Sequence, residues 1–296
     1  MRMDSRPRGA AGSRHREMQH LPDGLSGPLR VHRAGGRRAA TMALGFAVTM
    51  LGFAAIPRVA AAEAGAWIAR GDEAYARGQL EEAISDYATA IQESPHSLHA
   101  LCRMVRAESE RAEDAPGPIR QRLVASAVEH ARAAVAVAPD SALGHAWLAT
   151  ALGRQALHEG PRARLALARE IKSEADRAIA LDPRNARAYH VLGVWNREVA
   201  TLNFIERAAA NAVLGGVPKG ASLDNAVADF EQAVALEPDY VNHHLELARS
   251  YRQVHRDADA RRELERAIAL PPTSSARDAH YQTEARELLS RLPHRP

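Results

Sequence analysis

Five alanine-rich stretches recur along the chain, and each mixes apolar and polar residues before it ends at a proline. The prolines are Pro95, Pro139, Pro183, Pro238 and Pro272. Within each stretch the apolar residues recur at the three- and four-residue spacing that places side chains on one face of a helix. Proline cannot continue a helix and disfavours helical backbone in the residue before it. The pattern therefore predicts amphipathic helices that end just before each proline.

The spacings between these prolines are 44, 44, 55 and 34 residues, and 34 is the period of the tetratricopeptide repeat. The first repeat resembles that family at Trp67, Gly71, Ala83, Tyr87, Ala90 and Pro95, and the last at Leu247, Ala248, Tyr251, Ala260, Leu264, Ala267 and Pro272. Small side chains at Ala83 and Ala90 let two antiparallel helices cross closely. The resemblance implies helix pairs that stack into an all-α solenoid.

The middle repeats are longer than this period. Two of them carry ten extra residues each, which we expect to lengthen both helices of the pair. The fourth carries 21 extra residues at about 199–221, with a turn before an N-cap at Ser222. Residues 275–292 predict an amphipathic helix that caps the open end of the stack. The predicted fold is a tetratricopeptide-like solenoid of about five helix pairs plus this C-terminal capping helix.

The N-terminal region has the order of an export signal. Residues 1–38 are rich in Arg, Gly, Pro and Ser without apolar periodicity, which indicates disorder or a misassigned start. Residues 39–62 come directly after Arg37 and Arg38. They begin with an uncharged run at 39–56 and end with three alanines at 60–62, an order that predicts a signal peptide cleaved after Ala62. The alternative is an uncleaved membrane anchor at 39–56. The solenoid is then residues 63–296, in an exported, periplasmic or extracellular protein.

The charge of the whole chain, +3, is misleading. Residues 1–62 contain 10 of the 39 basic and 3 of the 36 acidic residues, so the remainder holds 29 basic against 33 acidic residues, a balance of −4. The basic excess thus lies outside the predicted solenoid, and nucleic-acid binding is disfavoured. The single cysteine, Cys102, excludes an internal disulfide and is expected to be a core residue.

The fourth repeat carries a narrower resemblance. Residues 190–207, with the sequence HVLGVWNREVATLNFIER, the turn at 215–219 and the Asp229-Phe230 pair resemble the regulator of microtubule dynamics family. That resemblance implies an adaptor or tether with an N-terminal targeting segment and a tetratricopeptide domain. In the family's animal members it implies microtubule and protein partners, and for some members lipid handling. An export signal and alanine-rich composition indicate a bacterial exported protein, in which microtubules would be absent.

Candidate binding residues lie on the first helix of each repeat, on the face that we expect to line the concave groove of the solenoid. They are His99, Arg106, Arg154, Arg187, His190, Arg197, Asn242, Arg249 and Arg252. The clustered cations would suit an acidic peptide, a terminal carboxylate or a phosphate headgroup. The alternative is a solvated arginine-rich face. Trp195 could be a ligand contact, but its spacing from Leu192 and Val199 favours a core position.

No catalytic motif is present, and the histidines lack the spacing of a metal site. We therefore expect no catalytic residue, metal or cofactor. The preferred hypothesis is a non-enzymatic scaffold whose groove binds a partner protein or peptide. Two alternatives remain open, which are a protein that binds lipid or another hydrophobic small ligand and a self-associating component of an envelope assembly.

Overall fold

The computed structural model describes residues 56–213, 216–272 and 275–293. These residues form twelve helices and no strand. The helices are α1 (Ile56–Ala76), α2 (Leu80–Glu93), α3 (Leu98–Glu113), α4 (Gly117–Val137), α5 (Ala142–Ala156), α6 (Pro161–Leu181), α7 (Ala186–Ala200), α8 (Phe204–Val213), α9 (Leu223–Leu236), α10 (Val241–Gln253), α11 (Asp257–Ala269) and α12 (Asp278–Ser290).

The helices pack as five pairs, as predicted. The pairs are α1–α2, α3–α4, α5–α6, α7–α9 and α10–α11, and α12 packs on the last pair. The second helix of each pair ends two or three residues before one of the five prolines. After three of these prolines, the side chains of Ser97, Ser141 and Asn185 accept hydrogen bonds from the backbone N–H three residues later. Each of these three prolines therefore sits between a helix stop and the N-cap that starts the next helix.

The extra residues of the middle repeats lengthen mainly the second helices. Helices α4 and α6 have 21 residues each, whereas α3 and α5 have 16 and 15. The insertion in the fourth repeat forms the additional helix α8 between α7 and α9. Ser222 is the N-cap of α9, and its hydroxyl accepts a hydrogen bond from the backbone N–H of Asn225. The predicted N-cap is confirmed.

Small side chains line the helix crossings. Ala83, Ala90, Ala260 and Ala267 are all fully buried. Trp195 is also buried, and its indole N–H donates to the backbone oxygen of Ala168 at 2.7 Å, which confirms its predicted core position. Cys102 lies in the same core. Trp67, by contrast, is half-buried, and the guanidinium of Arg70 lies over its ring.

The first helices α1, α3, α5, α7 and α10 contact one another in order along the stack, and the second helices do not. The first helices thus form a continuous layer, whose free side we call the inner surface. The C-terminal segment, residues 275–293, reaches this surface. There the side chain of Ser275 donates to Glu110, and Arg277 forms ion pairs with Glu113 and Asp114.

The C-terminal segment therefore does more than the predicted capping of the last pair. The hydroxyl of Tyr75 in α1 donates to Glu110 in α3 at 2.5 Å and accepts from the backbone N–H of Ala276 at 3.3 Å. These contacts join residues up to 201 positions apart. The end of the chain is bound to the first two helix pairs as well as to the last.

The described part of α1 begins at Ile56, so the predicted cleavage point after Ala62 lies inside this helix. The first buried residue with a described side chain is Ala64. Predictions for residues 1–38 and for the apolar run at 39–55 lie outside the described residues. Among the helices that are described, none combines the length and apolar character needed to span a bilayer.

Candidate functional site

The inner surface contains a large cavity of about 700 Å³. Its walls come from α5, α6 and α7, and its rim includes residues of α10 and α12. This volume falls within the range of small-ligand pockets, roughly 300–1,000 Å³. The lengthened α6 forms one wall, so the insertion in the third repeat contributes directly to the cavity.

One side of the large cavity is apolar. The side chains on this side are aliphatic or aromatic, and they are Leu157, Leu165, Ile171, Val191, Val194, Trp195, Val199 and Leu202. Leu157 is 52% exposed. Phe204, at the start of α8, is 85% exposed and lies between Leu202 and Glu206, which both line the cavity. Leu157 and Phe204 therefore add exposed apolar surface beside the cavity.

The opposite side of the large cavity is charged. Arg197 is buried, pairs with the Glu246 carboxylate and donates to the Glu246 backbone oxygen at 3.2 Å. Arg249 pairs with Glu246 and Glu284, and Arg154 pairs with Glu113. Burial raises the pKa of Glu246, but the two arginines outweigh that effect and hold it below its ordinary value. The carboxylate therefore stays ionised and fixes both guanidinium groups.

The arginines of the predicted cationic face thus lie among acidic residues. The arginines that line the large cavity are Arg154, Arg162, Arg164, Arg197 and Arg249, and the acidic residues are Glu113, Glu198, Glu206, Glu246 and Glu284. Five positive and five negative charges leave no formal charge. The repulsion from these carboxylates offsets part of the attraction that the arginines exert on an acidic ligand.

The other predicted site residues divide into three groups. His190 and Asn242 line the large cavity. Arg106 and Arg187 line a smaller hollow farther along the inner surface, where their guanidinium groups stack on Tyr75 at 3.6 Å and Trp147 at 3.7 Å. His99 and Arg252 line neither space. The structure therefore separates the predicted groove residues between two places.

A buried histidine pair lies beside the large cavity. The Nδ1 atoms of His190 and His243 are 2.9 Å apart, so one ring donates the shared proton and the other accepts it. Glu237 lies 3.3 Å from Nε2 of His243. Burial lowers the pKa of both histidines, and Arg187 lowers it further. Both rings are therefore neutral at pH 7.

Sequence reasoning missed two of the acidic residues that pair with the arginines, Glu113 and Glu284. Glu246 lies three positions before Arg249 on one helix face, which was a usable signal. Glu113 and Glu284 come from other parts of the chain, and no local pattern connects them with Arg154 or Arg249. Among the described residues, no group of three potential metal ligands is close enough to hold an ion.

Comparison with known proteins agrees with the narrower resemblance. The sequence profile described as "Regulator of microtubule dynamics protein 1-3" matches residues 67–293. The chain is 29% identical over 223 residues to regulator of microtubule dynamics protein 1 of Bos taurus, covering 74% of this chain and 69% of that protein. It is 30% identical over 190 residues to protein 3 of Bos taurus, but spans only 40% of that relative's length.

The identity to protein 1 of Caenorhabditis elegans is 25%, over 75% of this chain and 98% of that protein. Among solved structures, a thermophilic TPR protein of Thermus thermophilus aligns with a TM-score of 0.57 and 21% sequence identity. The alignment covers 77% of this chain and 99% of that chain. This likeness confirms the tetratricopeptide-like fold.

Proposed function

Since the chain belongs to the regulator of microtubule dynamics family, we propose that it is a non-catalytic binding scaffold that holds an apolar segment of a partner protein in the large cavity. The observation that carries this proposal is the cavity itself, about 700 Å³ of space with an apolar wall on the inner surface. Solenoid repeats bind their partners on such surfaces.

The charged side of the cavity supports an apolar rather than an acidic ligand segment. Arg154, Arg197 and Arg249 pair with glutamates, and the formal charge of the lining is zero. Leu157 and Phe204 offer exposed apolar contact area at the rim. Apolar and aromatic side chains buried in a pocket dominate the binding energy of many interfaces. We expect binding to change little between low and high salt.

A cross-linking experiment tests the proposal. A photoreactive amino acid at Leu157, in the full chain and in cells of the source organism, should link to a protein and allow its identification by mass spectrometry. The matched variants are Gly153→Leu and Gly65→Leu. A Cβ at either glycine meets no atom within 4 Å, but only Gly153 lines the cavity. Loss of the link in Gly153→Leu alone is the expected result, and equal linking in both variants contradicts the proposal.

A second candidate function rests on the same cavity. The apolar wall between α6 and α7 could hold a hydrophobic small ligand or a lipid chain. The cross-linking experiment distinguishes the two, because a photoreactive group that links to lipid adds a mass of lipid size and leaves no protein adduct. A lipid adduct that disappears in Gly153→Leu would replace the first proposal by the second.

We also propose that residues 39–62 direct export and that the mature protein begins at Glu63. Cleavage there leaves the last 14 residues of α1 and keeps its buried side chains Ala64, Ala74 and Tyr75. N-terminal sequencing of the protein from the periplasm or the culture medium tests the proposal. Recovery of the intact residues 39–56 in the membrane fraction would instead favour an anchor.

A further inference from the structure

The smaller hollow on the inner surface has a chemistry opposite to that of the large cavity. It has a volume of about 280 Å³ and shares no lining residue with the large cavity. Its lining includes four arginines, which are Arg103 and Arg106 of α3, Arg184 of the loop before α7 and Arg187 of α7. We call this hollow the arginine pocket.

Two carboxylates line the arginine pocket, so the formal charge of its wall is +2. They are Asp182 and Glu237, and Glu237 is already close to His243. Asp72 lies outside the lining, binds Arg103 Nε at 2.6 Å and lies 3.9 Å from the guanidinium of Arg106, which lowers the effective positive charge to about +1. Among the described residues, no carboxylate pairs with the guanidinium of Arg184 or Arg187. The pocket therefore keeps uncompensated positive charge even though carboxylates compensate the arginines of the neighbouring cavity.

Aromatic rings hold two of the guanidinium groups in place. Arg187 lies over the ring of Trp147 at 3.7 Å and Arg106 over that of Tyr75 at 3.6 Å. Stacking occupies the flat faces and leaves the in-plane N–H groups available to bind an oxyanion. The Nε of Arg106 is buried and has no hydrogen-bond acceptor among the described residues. A buried donor without an acceptor is costly.

We propose that the arginine pocket binds the phosphate group of a small phosphate monoester. A phosphate monoester carries about −1.5 to −2 charges at pH 7 and three acceptor oxygens, which suits a wall with excess positive charge and several guanidinium donors. The start of α7 also lines the pocket at Asn185 and Ala186, and the positive end of a helix dipole favours an anion. A monocarboxylate offers two acceptor oxygens rather than three, so it satisfies fewer of the guanidinium N–H groups.

The pocket binds its ligand reversibly, without covalent chemistry at Cys102. This thiol also lines the pocket, but burial raises its pKa to about 12 despite the nearby Arg103 and Arg187. A protonated thiol is a weak nucleophile. Cys102 therefore contributes shape rather than reactivity.

Calorimetric titration of the full chain tests this proposal with three probes, which are glycerol 3-phosphate, inorganic phosphate and acetate. Glycerol 3-phosphate should bind at least tenfold more tightly than acetate, a difference of about 1.4 kcal/mol. It should also bind more tightly than inorganic phosphate, because the hollow is larger than one phosphate ion. Equal affinity for all three probes, or no binding, would overturn the proposal. Tighter binding of inorganic phosphate would overturn the assignment to a monoester.

Matched arginine variants locate the binding. Arg187→Gln and Arg184→Gln should each weaken glycerol 3-phosphate binding at least tenfold, whereas Arg252→Gln on α10, which lines neither space, should leave it unchanged. Arg187→Lys should recover part of the affinity, since it restores the charge but not the two-pronged donor. Circular dichroism confirms that each variant is folded. Equal weakening by Arg252→Gln would show non-specific charge attraction and overturn the assigned site. Failure here leaves the large-cavity proposal intact, since the lining residues differ.

Discussion

Gly193 of α7 shows how closely two helices of one pair approach. A Cβ built at this position would lie 2.7 Å from the ring of Phe230 in α9, and this ring is fully buried. We expect Gly193→Ala to destabilise the domain by about 1–3 kcal/mol, because the ring cannot move without displacing the core. Chemical unfolding measures the change.

Gly65→Ala is the control for that prediction, since a Cβ at Gly65 meets no atom within 4 Å. It should stabilise the domain by about 0.5–1 kcal/mol through the higher helix propensity of alanine. A loss of stability at Gly65 as large as at Gly193 would show that the contact with Phe230 does not set the effect.

The His190–His243 pair predicts a loss of stability in mild acid. Burial is the main cause of the lowered pKa of both rings, and Arg187 lowers both pKa values further. At His190 the pKa is lowered also by His243, Arg154 and Arg197. At His243 the carboxylate of Glu237 opposes the decrease. The unfolded chain therefore binds protons below about pH 6.5 that the folded chain does not. The contribution of the pair to the free energy of unfolding is fully present above this pH. It decreases as the pH falls, by up to about 1.4 kcal/mol per pH unit for each histidine.

Unfolding curves between pH 7.5 and 5 check this prediction. His190→Gln should flatten the acid decrease, whereas the exposed His96→Gln should leave its slope unchanged. Identical slopes in the wild type and His190→Gln would mean that other groups, such as the carboxylates, control the acid response. His130 also has a shifted pKa, which its hydrogen bond to Glu108 raises. Since His130 is present in the wild type and in both variants, the difference between their curves reports on His190 alone.

At the level of single helices, the crossing within the last pair depends on small side chains. Ala260 of α11 is fully buried against its partner helix, whereas Ala258 on the same helix is exposed. We expect Ala260→Leu to destabilise the domain by about 1–3 kcal/mol through overpacking. Ala258→Leu should change stability by less than about 0.5 kcal/mol. Thermal unfolding of both variants decides it, and equal midpoints would contradict the repeat phase assigned to α11.

The sequence predicts helices and their boundaries well because their signals are local. A proline stop and a Ser or Asn cap two residues later define the junctions at Ser97, Ser141 and Asn185. The spacing of buried alanines defines which face of each helix is covered. Helix α8 was not predicted as a separate element, because an insertion of 21 residues does not itself show whether it extends neighbouring helices or forms a new one.

At the level of the whole molecule, the C-terminal segment bonds to the first pairs through Tyr75. We expect Tyr75→Phe to destabilise the domain by about 1–3 kcal/mol, because it leaves buried Glu110 and the N–H of Ala276 without their shared partner. Hydrogen exchange should show faster opening of residues 275–281 in this variant. Tyr189→Phe is the control, since that hydroxyl makes no hydrogen bond among the described residues and should behave as the wild type.

This closure was not predictable from repeat spacing. The period orders the helix pairs along the chain, but it does not fix the curvature that brings α3 within reach of Ser275, 165 positions from Glu110. The repeat period likewise does not determine which residues pair at the large cavity. Arg154, His190, Arg197 and Arg249, which share the predicted groove face, all line the large cavity. Glu113 and Glu284, the partners of Arg154 and Arg249, come from distant elements.

The bond between the two ends of the stack also bears on how the chain folds during synthesis. A linear repeat array is stabilised by neighbour contacts alone, so its early repeats can reach their final state while later ones are still being translated. Here the contacts of Glu110 with Ser275 and of Asp114 with Arg277 form only after residues 275–277 have been synthesised, and Ser275 lies 165 positions after Glu110. Contacts of such high sequence separation slow folding, because the closure of a long loop must precede them. We expect the array to unfold as one cooperative unit rather than pair by pair from its ends.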